Sequence, residues 1–150
     1  MEIYDNSISI KILGIPGKKQ SSRFRTFTTP TGKTAIASYQ TKDIKDSEKN
    51  IKYEIRSQLP EGFIPFDNAI SVSLTCVFPP LKGWSKKQLK EIEDGKIVYK
   101  TTKPDVDNIT KLYFDAMNGS VYRDDAIIGL YKVRKIFGLV PSVNIKITKL

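Results

Sequence analysis

Nine residues, ISVSLTCVF at positions 70–78, constrain the fold more than any other stretch of this sequence. Every second residue from Ile70 to Phe78 is apolar, and serine or threonine fills most of the positions between them. Because strand side chains point alternately to the two faces of a sheet, this pattern predicts a strand with one buried face. Such a strand needs partner strands and a second layer that covers its apolar side.

The same reasoning predicts further strands. Residues 7–15 and 141–150 alternate in the same way, and 120–122 resemble a short strand. Residues 126–137 predict another strand, with Lys132 and Arg134 on the face opposite its apolar side chains. Proline, glycine and serine are frequent in 16–33, which predicts a loop.

Helical spacing of apolar residues predicts two main helices. One runs over 43–59, and the other begins near Asp107 and ends at Asn118-Gly119. Ser85 and Gln88 form a capping-box pattern for a short charged helix inside the polar stretch that follows Phe78.

The element order β-α-β, insertion, α-β-β-β predicts one α+β domain over residues 1–150. We expect a mixed β-sheet covered by the two main helices. The chain is long enough to bury a core without disulfides. It has no apolar run long enough to span a bilayer and no secretory signal, so we expect a soluble protein without membrane contact.

The residue types exclude several chemistries. The chain has no histidine, so serine–histidine triads and the usual zinc sites are ruled out. Its single cysteine, Cys76, falls in the alternating strand and is expected to be a buried apolar residue in a reducing cytosol. Any bound metal would therefore be a hard cation held by oxygen atoms.

The charge distribution favours a polyanionic partner. The net charge is +9, and positions 6–42 contain no acidic residue. Nucleic acid is the partner expected for such a block, and the alternative is a solvated basic surface. The basic residues of the block are Lys11, Lys18, Lys19, Arg23, Arg25, Lys33 and Lys42.

Four aspartates stand out in so basic a chain, at positions 105, 107, 124 and 125. Asp107 is a natural N-cap for the second helix, which is the structural interpretation. Asp105 lies two residues earlier, so both carboxylates point to the same side of an extended segment. If the later pair returns beside them, three carboxylates repel one another unless a divalent cation lies between, and Mg²⁺ or Mn²⁺ is expected.

Lys111 follows Asp107 by four residues. It could form an i,i+4 ion pair with that carboxylate, or place an ammonium beside a reacting phosphate. A calcium loop starting at Asp105 is excluded, because Thr110 and Ala116 occupy its glycine and glutamate positions. The chain has no glycine-rich phosphate loop, and it lacks the Gly-Ser pair expected upstream in a nucleotidyltransferase.

The run TTKPDVDNITKLYFDAMNGSVYRDDAII resembles the signature of the RusA family of Holliday junction resolvases, found in bacteria and their phages. The opening segment GIPGKKQSSRFR is also similar to that family's basic N-terminal segment. The resemblance implies a homodimer that uses Mg²⁺, with Mn²⁺ as a substitute, to make paired symmetric incisions in a four-way DNA junction. It also implies a bacterial cytoplasmic enzyme, with a prophage as a plausible origin.

Carried over residue by residue, the resemblance implies three metal ligands, Asp105, Asp107 and Asp125, with Lys111 as a further catalytic residue. Asp124 could replace Asp125 if the alignment shifts in the preceding turn. The basic loop, the excursion from Lys82 to Lys103 and Lys135 are expected to contact phosphates. The predicted DNA-binding residues are Lys18, Lys19, Arg23, Arg25, Lys103, Lys132 and Arg134.

Two rival interpretations remain open. One is a metal-dependent nuclease or nucleotidyltransferase that acts on other nucleic acids. The other is a basic branched-DNA-binding protein without enzymatic activity, whose aspartates cap helices and form salt bridges.

Overall fold

The computed structural model describes residues 2–4, 6–17, 23–28, 32, 34–39 and 42–150, with side chains at 6–17, 32 and 48–150. The strands are β1 Glu2–Tyr4, β2 Ser7–Leu13, β3 Arg23–Thr28, β4 Thr34–Tyr39, β5 Ile70–Phe78, β6 Ile128–Phe137 and β7 Ser142–Lys149. The helices are α1 Lys42–Gln58, α2 Lys86–Glu93 and α3 Val106–Met117.

Five of the strands form one mixed sheet in the order β1-β2-β7-β5-β6. β5 and β6 are parallel, and the other neighbours are antiparallel. β3 and β4 pair with each other as a separate two-stranded sheet. The predicted α+β class with a mixed sheet is therefore confirmed.

The central strand β5 has the alternation expected from its sequence. Its odd-numbered partners Ser71, Ser73 and Thr75 are half-buried, while the alternate residues form part of the core. Ile70, Val72, Leu74 and Cys76 are each 0 % exposed. Fully burying one apolar side chain of this size contributes about 1.5–3 kcal/mol, so this face dictates where the helices pack.

Helices α1 and α3 cover that apolar face and pack against each other. Ile51 and Ile55 of α1 are buried. The predicted apolar stripe of α3 is buried along its whole length, at Ile109, Leu112, Tyr113, Ala116 and Met117. α3 ends at Asn118, and Gly119 adopts a left-handed φ of 81°, which a residue without Cβ tolerates.

Two predicted elements are wrong. Residues 120 and 121 form a turn rather than a strand, because the amides of Ser120 and Val121 both bond back to the carbonyl of Met117, and only isolated β-bridges form at Tyr122. The stretch expected to be a loop contains β3, which pairs with β4 in a regular antiparallel register. Phe24 and Phe27 are three residues apart and do not show the two-residue alternation of a strand, so the glycine and proline content around them was the stronger signal.

The parallel pairing of β5 with β6 determines where α3 lies. Parallel neighbours need a crossover connection, and here that connection carries α2 and α3 before the chain returns to the sheet edge. Every predicted metal ligand falls in this one crossover. Among the described residues, no helix combines the length and apolarity needed to cross a membrane.

Candidate functional site

Lys135 of β6 holds the loop that leads into α3. Its Nζ donates to the carbonyl oxygens of Thr102 and Pro104, both at 2.7 Å. The backbone adds a further link, because the amide of Lys100 donates to the carbonyl of Lys135 at 2.9 Å. Strand β6 therefore fixes the chain immediately before Asp105.

The placement of Lys135 follows from strand alternation. It lies opposite the buried Cys76 in the parallel register, on the covered side of the sheet. Burial first, and then the neighbouring charge of Lys100, lower the pKa of Lys135. Two of the three ammonium donors of Lys135 are engaged with backbone carbonyls, and its contact with phosphates stays a prediction. The alternation with Val133 and Phe137 was the sequence signal for this role.

Asp105 is the N-cap residue of α3, so the prediction that Asp107 is the N-cap is wrong by two positions. Asp105 has extended backbone angles, and within the described chain its carboxylate makes no capping bond to the first turn. Instead, its Oδ2 accepts from Nζ of Lys103 at 2.6 Å, and its side chain is 48 % exposed. This carboxylate is therefore turned outward and already interacts with a cation.

Asp107 lies in the first turn of α3 and is exposed. Amide groups at a helix start stabilise a nearby carboxylate, by about 0.3–1 kcal/mol at an exposed position. Lys111 is exposed one turn later, and no ion pair joins it to Asp107 among the residues whose side chains are described. The i,i+4 alternative for Lys111 is thus not realised.

The two later aspartates, Asp124 and Asp125, have different surroundings. Asp124 caps the short 3₁₀ turn Asp125–Ile127 by accepting from the amide of Ala126 at 3.4 Å. Asp125 is exposed at the first position of that turn. The capping bond gives Asp124 a structural task, which favours Asp125 as the member of the pair available for a ligand.

Tyr122 locates this pair relative to α3. Its buried hydroxyl donates to the carbonyl of Phe114 at 2.8 Å. Burial raises the pKa of Tyr122, and the charges of Asp125, Asp115 and Asp124 raise it further, in that order. The later pair therefore lies beside the second half of α3, whereas Asp105 and Asp107 lie at its start.

The described side chains contain no group of three or more acidic, histidine or cysteine residues close enough to hold one metal ion. The structure brings Asp105 together with Lys103, and it brings Asp124 and Asp125 toward Tyr122. The chemistry of the donors still fits Mg²⁺, which keeps several waters and takes one or two carboxylates from a protein. Asp107 and Asp125 are exposed carboxylates of that kind.

The predicted DNA-binding residues fall into three groups. Lys18 and Lys19 lie outside the described residues, and Arg23 and Arg25 belong to β3, where only the backbone is described. Lys103 is paired with Asp105. Lys132 and Arg134 both lie on the sheet face opposite α3, where Lys132 is exposed and Arg134 Nε donates to Thr75 Oγ1 at 3.2 Å.

The last described residue before the basic segment is attached to α3. The amide of Gly17 donates to the hydroxyl of Tyr113 at 3.1 Å. A Cβ at Gly17 would lie 3.0 Å from Cδ2 of Leu112, so the glycine permits this close approach. Gly17, which precedes the basic segment in sequence, therefore lies beside the helix that carries Asp107 and Lys111.

Comparison with known sequences agrees with this arrangement. The family described as Endodeoxyribonuclease RusA matches residues 15–148. A protein of Bacillus subtilis (strain 168) named "Uncharacterized protein YqaN" is 35 % identical over 88 residues. That match covers 59 % of this chain and 61 % of the relative. Since the family match covers most of the chain and includes the aspartate-bearing crossover, this chain belongs to the RusA family of endodeoxyribonucleases.

Proposed function

We propose that this protein is a Mg²⁺-dependent endodeoxyribonuclease that resolves four-way DNA junctions by paired, symmetric incisions. The observation that carries the proposal is the position and the interactions of Asp105 and Asp107 at the start of α3. Asp107 is exposed in the first turn and forms no ion pair with Lys111 among the described side chains. Asp105 directs its carboxylate outward to Lys103, and the family match includes both aspartates.

We propose Asp105, Asp107 and Asp125 as the metal ligands, with Mn²⁺ as a substitute for Mg²⁺. The described side chains do not bring all three within reach of one ion, so waters would complete the coordination of a metal held by one or two of them. A bound Mg²⁺ supplies an activated water and stabilises charge on the phosphate, which suits a site that has no histidine. Two lysine side chains position Asp105 and the backbone ahead of it. Lys135 fixes the backbone ahead of Asp105, and Nζ of Lys103 donates to the carboxylate of Asp105 at 2.6 Å.

Lys111 is the proposed cation for the reacting phosphate. It is exposed on α3, one turn after Asp107, and its ammonium can reach an approaching phosphate without breaking an ion pair with that residue. A positive charge near the developing negative charge of the phosphate stabilises the transition state, most strongly once the bound substrate excludes water from the site. Lys111 therefore has the position and charge expected of a transition-state stabiliser.

Binding of the junction is assigned to the basic residues around this site. The segment containing Lys18, Lys19, Arg23 and Arg25 leaves the described chain at Gly17, beside α3. Phosphate contacts of this kind make binding weaken steeply with salt. Two symmetric cuts require two sites, so we infer a homodimer whose two-fold axis matches that of the junction. We assign the protein to the bacterial cytoplasm, with a prophage as a possible source.

The decisive experiment is cleavage of a labelled synthetic four-way junction, with and without Mg²⁺, beside a linear duplex of the same sequence. The proposal expects Mg²⁺-dependent nicks at symmetric positions that are confined to the junction. Equal cleavage of the duplex would instead indicate a less selective nuclease, and binding without cleavage in any divalent metal would indicate a non-enzymatic DNA-binding protein.

Asp107→Asn tests the assignment of the site. We expect this variant to lose junction cleavage while it still binds the junction, because the metal-binding charge is removed and the basic surface remains. Asp94→Asn makes the same chemical change at an exposed C-cap of α2 and serves as the matched control. If Asp107→Asn cuts as fast as the control, Asp107 is not a metal ligand.

A further inference from the structure

The uncovered face of the sheet carries two parallel rows of polar and cationic side chains. The strand registers align Ser9, Lys146, Ser73 and Lys132 in one row across β2, β7, β5 and β6. Two residues further along, they align Lys11, Asn144, Thr75 and Arg134 in a second row. Each row thus combines two cations with two neutral hydrogen-bonding groups, and the register continues from Ser9 to Glu2 of β1.

These side chains are accessible. Lys11, Lys132 and Lys146 are exposed, and the hydroxyl and amide groups between them are half-buried, so no described element covers them. The parts of the rows on β2, β7 and β5 line a groove of about 460 Å³ that also includes Gln58, and Lys132 and Arg134 extend the rows beyond it on β6. Arg134 is oriented by its bond to Thr75, which uses Nε rather than the outer nitrogens of the guanidinium.

The size and charge of this surface fit a phosphate backbone. Neighbouring strands lie about 4.8 Å apart, so Lys11 on β2 and Arg134 on β6 are separated by roughly 14 Å across the sheet. A DNA duplex carries a phosphate charge about every 1.7 Å of its axis, so several phosphates fall within that span. Hydroxyl and amide side chains between the cations provide the uncharged donors that phosphate oxygens also accept.

We propose that this cationic sheet face is a second DNA-binding surface, which holds the phosphate backbone of a duplex arm away from the aspartates. The inference rests on the proposed function, because it assumes that branched DNA is the substrate. It adds Lys11 of β2 and Lys146 of β7 to the residues that contact DNA, and their side chains lie on the sheet face opposite α3.

The arrangement also explains why the basic residues of β6 have two different roles. Lys132 and Arg134 face the cationic surface, whereas Lys135 faces the other way and holds the loop before Asp105. One strand therefore borders both surfaces. A junction arm on the sheet face and the strand to be cut beside α3 would be held at a fixed relative position by the same β-strand.

The test compares the double variant Lys11→Gln/Lys146→Gln with wild type in binding a labelled four-way junction at several salt concentrations, in EDTA. Log affinity falls with log salt, and each phosphate contact contributes about −0.9 to that slope. Losing two contacts should therefore make the slope shallower by about 1–2. Lys49→Gln/Lys52→Gln on α1 removes the same charge from a different surface, and its slope should match that of wild type.

The outcomes separate this inference from the proposed function. If wild type binds no nucleic acid, the proposed function fails. If wild type binds and cuts junctions while the sheet-face variant keeps the wild-type slope, the second surface alone is refuted. Urea unfolding and sedimentation accompany the titrations. A variant that folds, keeps the slope and changes oligomer mass would show that this face binds a second copy of the chain rather than DNA.

Discussion

Replacing Lys135 by methionine tests whether β6 positions the loop ahead of Asp105. The variant keeps the aliphatic stem and removes the two 2.7 Å bonds to the carbonyls of Thr102 and Pro104. A hydrogen bond to a charged group contributes about 1.5–3 kcal/mol when buried. Lys135 is half-buried, so water replaces part of each bond, and we expect a total loss of about 2 kcal/mol in the free energy of unfolding.

For a protein of this length, such a loss lowers the melting temperature by about 4–8 °C. Lys132→Met is the matched control, because it makes the same substitution on the exposed face of the same strand and should change the free energy of unfolding by less than about 0.5 kcal/mol. Urea unfolding gives both free energies, and hydrogen exchange at the amide of Lys100 reports whether the loop itself loosens. If Lys135→Met and Lys132→Met unfold alike and Lys100 exchanges at the wild-type rate, Lys135 does not hold this loop.

Three further predictions concern the framework. Burial raises the pKa of Cys76 from 9.0 to about 12 and that of Tyr113 to about 12, so the folded protein keeps protons that the unfolded chain releases. Stability should therefore be full below pH 9 and should fall as the pH rises toward 12, which urea titrations across that range will show; a flat profile would contradict the burial. Gly138→Ala places a Cβ 2.5 Å from Cγ1 of Val77 and should lower the free energy of unfolding by about 1–3 kcal/mol. Gly83→Ala is the control, because its Cβ meets nothing within 4 Å, and equal unfolding curves for the two variants would contradict the clash. Ser85→Ala removes the capping box of α2 and should cost about 1 kcal/mol of unfolding free energy, with an unchanged urea midpoint as the contrary result.

Local patterns predicted much of this fold. The alternation in β5 and the apolar stripe of α3 were sufficient because burial of one face decides the position of both elements. The capping box at Ser85 was also found where expected, since it depends on residues three apart. The β3–β4 hairpin was missed because glycine and proline content is a weaker signal than strand pairing.

The site was predicted less completely than the fold. The role of Asp105 as a metal ligand stays a prediction, and the helix boundary was predicted wrongly, because Asp105 is the N-cap of α3 and Asp107 lies in its first turn. Helix boundaries depend on a few backbone bonds that residue spacing does not specify. The contact of Lys135 with Thr102 joins two segments that are far apart in sequence, so no local pattern could reveal its partner.

The parallel pairing of β5 with β6 also has a consequence for the order of folding. These strands can meet only after roughly fifty intervening residues have been closed into a loop. Closing this loop costs a few kcal/mol of chain entropy before any contact between the strands forms. β2, β7 and β5 join through antiparallel ladders, but Lys135 reaches the loop before Asp105 only from a completed β6. We therefore expect the proposed metal site to be among the last parts to become native. Under the proposed function, a partly folded chain would bind DNA through its basic strands before it is able to cut it.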